Sequence, residues 1–483
     1  MQSSKLINLL KVLTPDEFRD FEKFTGSPFF SKGRDLLPFL KVLKNFYPDF
    51  KNDNLKAEFI FRKLFPGKRF DTIRSANVIK TLSSQLFLLC KDYLIHLEFK
   101  DDESRKHFYL LSQLRKKKMY LEFDKDLKSL KNENNIHKGS IRDFLDKYFI
   151  ETAIRDNRLD RDEFENSFES NLKSSEYTLL AGLINTFKHQ DELNVAKGYN
   201  LNVRSNLMEF VLDSIDLEKF IDTFKKSNHP MYQFLEVYYF IYKMNKYPES
   251  RENYFILRDI LQQRACLFCQ SENYVLWNIM LSYCNIHNLH LEEHFFIYNY
   301  ILENKVYKKS DEEDFHIVLF RNIIVVSSFL SKTEWLEKFI NEYSYEIHIE
   351  HRSDMLNFSN AMLNFMKGNF NSALEYILKI KYELFLYKID VRTLQLKIYY
   401  KLGYYDQLFS VIDSTLHFLK INKELRPEFS KSTKNFIKYL KEFVKLNLGN
   451  SISKSELNYL KKSISDELYL GQKYWLLSEA DLI

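Results

Sequence analysis

Two short pairs of metal-type side chains come first. Cys266-Leu-Phe-Cys269 is followed by Cys284-Asn-Ile-His287, with His290 and His294 beyond. Close pairs separated by a connecting stretch have the spacing of a zinc site, where four thiolates or imidazoles meet tetrahedrally. Such chemistry requires Cys266, Cys269, Cys284 and His287 to converge. Their setting argues against it. Both pairs fall in strongly helical patterns, where a thiol packs as a small apolar group. No Gly-rich knuckle shapes the chain between them. No metal and no cofactor is expected, and that quartet is the one alternative ligand set.

Other catalytic patterns fail on spacing. Gly67-Lys68 lacks the upstream glycine of a phosphate loop. Asp156 to Glu165 is rich in acids but lacks the central glycine and terminal glutamate of a calcium loop. A hydrolase needs a nucleophile, a base and an orienting acid brought together, and no nucleophile elbow or zinc-protease motif is present. The chain is therefore read as a non-enzyme, with an enzyme whose site forms only by tertiary convergence as an alternative.

Composition points to helices. The 483 residues contain only 10 Gly and 8 Pro, with no proline between Pro66 and Pro230. Sheet proteins need turn residues every 8–12 positions or so. Few breakers and apolar spacings of three and four give an all-α fold. The 43 Phe, 31 Tyr and 3 Trp suit the gaps between stacked helices. A net charge of +5, from 71 basic and 66 acidic residues, is too balanced for a dedicated nucleic-acid binder. Four cysteines fit a reducing compartment. Met1 to Lys11 reads as a first helix rather than a signal peptide. The most apolar run, Ile317 to Leu330, is broken by Arg321 and Asn322 and is too short to span a bilayer. The expected location is the cytoplasm, away from membranes.

Four segments follow from the helix signals. Residues 1–100 form an N-terminal helical domain, in which Thr14, Pro15 and Glu17 spell a capping box. Residues 101–310 are a divergent helix-pair region that includes the basic run Arg115-Lys116-Lys117-Lys118. Residues 311–450 carry repeats, and 451–483 form a C-terminal helical cap. Within the repeats, Trp335, Phe370 and Tyr405 recur at an interval of 35 residues, each opening an apolar helix. Gly368-Asn369-Phe370 and Gly403-Tyr404-Tyr405 form turns, and Thr333 stands in the glycine's place before Trp335. The small residue after the turn is Ala373, with Leu408 and Lys338 at the matching places.

This pattern resembles the tetratricopeptide repeat, in which a Gly-x-aromatic turn separates two antiparallel helices. The Tyr283-Cys284 pair, the Trp after Thr333-Glu334, the asparagine-paired helix and the Tyr404-Tyr405 helix also resemble a bacterial all-helical family without assigned activity. The first resemblance implies a right-handed helical-hairpin solenoid whose first helices line a groove. Carried across, that groove holds Ile323, Ser327, Phe358, Met362, Phe365, Lys397, Tyr400 and Lys401. The same interval aligns Asn322, Asn357 and Arg392 into a polar row, with Asn360 and Asn364 on the helix face of Asn357. The expected function is a scaffold or adaptor that binds a protein, as a peptide or helix, in the groove. The alternative partner is nucleic acid, met by the run at Arg115 and the Lys-rich stretch Lys420 to Lys445.

Overall fold

The computed structural model describes residues 4–30, 33–51, 55–130, 138–198, 201, 207–287, 289–381, 385–422, 427–449 and 454–482. Among these residues the secondary structure is helical throughout, and no strand is present. Two compact units divide the chain. The first comprises Met1–Glu133 and Asp146–Ser174, the second Asn134–Leu145 and Ser175–Ile483.

The first unit begins with α1 (Lys5–Lys11), α2 (Pro15–Gly26), α3 (Leu37–Lys44), α4 (Ala57–Leu64) and α5 (Arg74–Asp101). Thr14 and Glu17 complete the capping box that starts α2: Thr14 Oγ1 accepts from the Glu17 amide, and the Glu17 carboxylate accepts from the Thr14 amide. Phe18, Phe21 and Phe24 then fall on one face and pack with Leu40, Leu86 and Tyr93 into a single apolar cluster. The Tyr93 hydroxyl donates to the Glu17 carbonyl at 2.9 Å, so the long α5 grips α2 by a polar tie as well as by packing.

Next come α6 (Glu103–Lys116) and α7 (Tyr120–Leu130), then α8 (Ile141–Leu159) and α9 (Phe164–Gly198), of which residues 141–145 and 175–198 belong to the second unit. The chain breaks between α6 and α7 at Lys118, whose φ is 58°. The acidic stretch from Asp156 ends α8 and turns the chain toward α9. Its carboxylates serve Arg115: the guanidinium donates to Asp156 at 2.9 Å and Asp160 at 2.8 Å. The arginine of the basic run is thus engaged within its own unit.

The second unit contains α10 (Leu207–Ser214), α11 (Leu217–Lys226), α12 (Tyr232–Lys246), α13 (Arg251–Arg264), α14 (Gln270–Ile286) and α15 (Leu291–Glu303). It continues with α16 (Ile317–Phe329), α17 (Thr333–Tyr343), α18 (Ile349–Met366), α19 (Phe370–Ile377), α20 (Phe385–Leu402) and α21 (Tyr405–Ile421). It ends with α22 (Pro427–Leu448), α23 (Lys454–Asp466) and α24 (Lys473–Leu482). Residues 202–206, just before α10, lie outside the described residues. Lys138 and Gly139 are fastened to the unit by hydrogen bonds to their backbone. The Cys269 amide donates to the Lys138 carbonyl at 2.9 Å, and the buried Tyr238 hydroxyl donates to the Gly139 carbonyl at 2.7 Å.

One turn geometry closes the helices before α17, α19 and α21, and it recurs outside this stretch at Lys118, Asp162 and Lys305. Ser331, Gly368 and Gly403 have φ of 55°, 80° and 72°. In each turn this residue's amide donates three residues back, to Ser328, Phe365 and Tyr400. The next amide reaches five back: Lys332 to Ser327, Asn369 to Asn364, Tyr404 to Tyr399. That pair of hydrogen bonds closes the orphan carbonyls of the first helix and reverses the chain. Five residues beyond each turn stand Leu336, Ala373 and Leu408, all fully buried, and nine beyond stand the buried Ile340, Ile377 and Ile412.

These positions correct the sequence register. The turns are 37 and 35 residues apart, not 35 and 35. Thr333, Phe370 and Tyr405 are the equivalent first residues of α17, α19 and α21. Ser331, not Thr333, takes the glycine's place, and Leu336, not Lys338, matches Ala373. Trp335 lies two residues inside α17. Its indole donates to Asn299 Oδ1 at 2.9 Å and its ring stacks on Phe339, so it packs sideways onto α15 instead of forming the turn.

A side chain added at Gly403 would meet nothing within 4 Å. The cost of Gly403→Ala is therefore backbone strain alone, about 1–2 kcal/mol. Gly403→Asn, which tolerates positive φ, is expected to cost less. Chemical denaturation of the two variants checks this ranking.

Candidate functional site

The cysteine–histidine quartet does not come together. Cys266 lies exposed in a short 3-10 turn, and Cys269 caps the start of α14. Cys284 and His287 stand at the far end of the same helix. Fifteen residues of helix separate Cys269 from Cys284, about 22 Å. Cys284 is buried and its thiol donates to the Tyr254 hydroxyl oxygen at 3.3 Å. His287 packs its ring against Tyr283. Among the described residues no group of three or more His, Cys, Asp and Glu is placed to hold a metal ion. The straight helix that carried the sequence pattern is what keeps its two ends apart.

The polar row does not form as aligned. By the turn register Phe320, not Asn322, is the counterpart of Asn357 and Arg392. Asn322 accepts instead from Arg321 Nη1 at 2.7 Å, beside the ion pair of Arg321 with Asp390 that ties α16 to α20. Asn364 donates to the Asn360 carbonyl one turn back on α18. Arg392 turns toward its own hairpin: it donates to Ser414 Oγ at 2.9 Å and lies over the Phe418 ring. Asn357 and Asn360 are half-buried on α18.

Lys397, Tyr400 and Lys401 do converge, on a partner that sequence reasoning did not assign to them. The C-terminal α24 lies against α20 there. Trp475 packs edge-on to Tyr400, and the Lys397 ammonium sits over the faces of Phe365 and Trp475. Lys401 donates to the Glu479 carboxylate at 2.6 Å, and Lys397 donates to Gln472 Oε1 at 3.2 Å. Lys397 is 6% exposed, and among the described residues no carboxylate forms an ion pair with it. Burial pulls its ammonium down to about 7, against the opposing pull of Glu479. A cavity of about 30 Å³ beside it, lined by Ser328, Asp390, Thr393 and Gln472, has room for roughly one water.

Gln472 also borders a larger open cleft of about 820 Å³. The end of α14, the start of α15 and the end of α16 form one side of it, through Asn285, Leu291 and Phe329. Residues 470–474 form the other. His294 opens onto it, held between the His290 carbonyl and Asn285 Oδ1. Burial keeps His294 below the usual imidazole range, so it stands neutral at pH 7. The residues missed from sequence, Gln472, Trp475 and Glu479, carried one legible signal: a Trp and a Glu one helical turn apart share a face.

Comparison with protein-family models, with curated proteins and with solved structures found no match.

Two outcomes follow from the placements. Native protein treated with iodoacetamide near pH 8 is expected to alkylate at Cys266. Cys90 and Cys284, buried and with thiols pushed up to about 12, are expected to react only after denaturation. Peptide mass mapping reads the order. Arg392→Ala is expected to lower stability by about 1 kcal/mol or more through the lost α21 bonds, whereas Asn357→Ala leaves the melting temperature nearly unchanged. Thermal denaturation of the two variants compares them.

Proposed function

We propose that this chain is a protein-interaction scaffold, a solenoid of helical hairpins that takes a peptide or helix from another protein. The observation that carries this reading is the open cleft of about 820 Å³ on the second unit. Three supports stand behind it. The repeated turn and the repeated Leu/Ala/Leu and Ile/Ile/Ile positions give the neighbouring hairpins one build, as tetratricopeptide-like arrays have. The cleft mixes apolar groups (Leu291, Phe329) with polar ones (Glu292, His290, Lys473), the blend that fixes a peptide's orientation while burying its side chains. And α20 already holds a helix by one aromatic anchor and one ion pair, which is how helix-in-groove recognition works.

Glu292 and Tyr474 test the reading without touching the core, since both line the cleft and neither is buried. A photo-crosslinking residue at either position is expected to capture a discrete protein from the native cell. Glu292→Arg with Tyr474→Ala is expected to weaken that capture by about tenfold or more, with the melting temperature unchanged. Equal capture by the double variant would move the binding surface elsewhere. Capture of nucleic acid, with steep salt dependence, would replace the protein partner.

A further inference from the structure

The attachment of α24 contains a physical tension that its surroundings do not relieve. Two ammonium groups of α20, Lys397 and Lys401, face α24, which offers one carboxylate between them, Glu479. Lys401 takes it. Lys397 receives an amide oxygen from Gln472 and two ring faces. The remaining charged groups nearby are already occupied. Asp390 pairs with Arg321, and Lys473 donates to the Ser465 carbonyl at 2.8 Å. From α18 the nearest group is the uncharged ring of Phe365. Elsewhere α24 rests on α22 and α23: Leu476 and Ala480 are buried in one cluster with Phe436, Leu440 and Ile464, and Lys461 pairs with Asp481 at 2.6 Å, while Tyr474 and Leu482 are largely exposed. Lifting α24 would return both ammonium groups to water and open the wall of the cleft formed by residues 470–474.

We propose that α24 is a strap whose closure over α20 is set by the charge on Lys397: it holds when the amine is neutral and loosens when the amine is charged. With α24 lifted, the amine regains water and its ordinary value near 10.5; with α24 closed, burial pulls it down to about 7. Between those values the open form binds more protons than the closed form. Closure therefore strengthens as pH rises from about 7 towards 10.5, and levels off at its weakest below about 7. Strap closure requires nothing of the cleft's occupant, so it is tested apart from the partner.

Hydrogen exchange of the full chain, corrected for intrinsic rates, reads it directly. Protection of residues 473–482 in the wild-type protein is expected to rise by roughly tenfold per pH unit between about pH 8 and 9. It should change little between about pH 5.5 and 6.5. Amides of α22 should show no such profile. Lys397→Met keeps the length and removes the charge, so its α24 should be well protected at every pH. Lys401→Met leaves Glu479 to Lys397, so the rise should begin about one unit or more higher, which decides the matter should the Lys397→Met variant fail to fold. Identical pH profiles in wild type and Lys397→Met would overturn the proposal. So would an α24 that exchanges only together with α22, or a Lys401→Met profile that does not move.

Discussion

A helix that ends inside a protein leaves its last carbonyls without partners, and the answer to that constraint organises the second unit. At Ser331, Gly368 and Gly403 the backbone enters the left-handed region for one residue, and two amides turn back onto the exposed carbonyls. The same bonds fix the direction in which the next helix departs. Because the turn geometry repeats, the side chains five and nine residues on arrive at the same depth each time. That is why Leu336, Ala373 and Leu408 are all fully buried despite their different sizes.

Much of this is legible in the chain. The scarcity of breakers gives the helical class, Thr14 and Glu17 give the start of α2, and the two glycines give their turns. The first turn escapes because the pattern of aromatics points elsewhere. Trp335 falls at the right interval by coincidence, while the residue that forms the turn is a serine without any sequence signature. Left-handed backbone at a non-glycine residue is chosen by the bonds it completes, and those appear only in three dimensions. The metal-like quartet fails for the converse reason. Spacing in sequence suggests proximity, but a continuous helix turns that spacing into distance.

The candidate site is half visible. Lys397, Tyr400 and Lys401 belong to the groove that the repeat pattern implies, and they do gather on one face of α20. What gathers with them, Gln472, Trp475 and Glu479, lies 75 to 78 residues further on. No local pattern links the two stretches, because the register of one helix against another is decided by packing. Lys397 illustrates the limit well. A lysine on a helix reads as a solvated charge, and here the rings of Phe365 and Trp475 cover it.

The interleaving of the two units bears on how the chain can be made and cut. Residues 134–145 belong to the second unit, yet 146–174 belong to the first. A nascent chain that has emerged as far as residue 133 therefore cannot finish its first unit. It must wait for a later stretch, and by then a piece of the second unit is already out and waiting for Tyr238 and Cys269 to reach it. Neither unit is one continuous block, and no single scission separates them intact. Any fragment that begins or ends between 134 and 174 takes something from one unit or both.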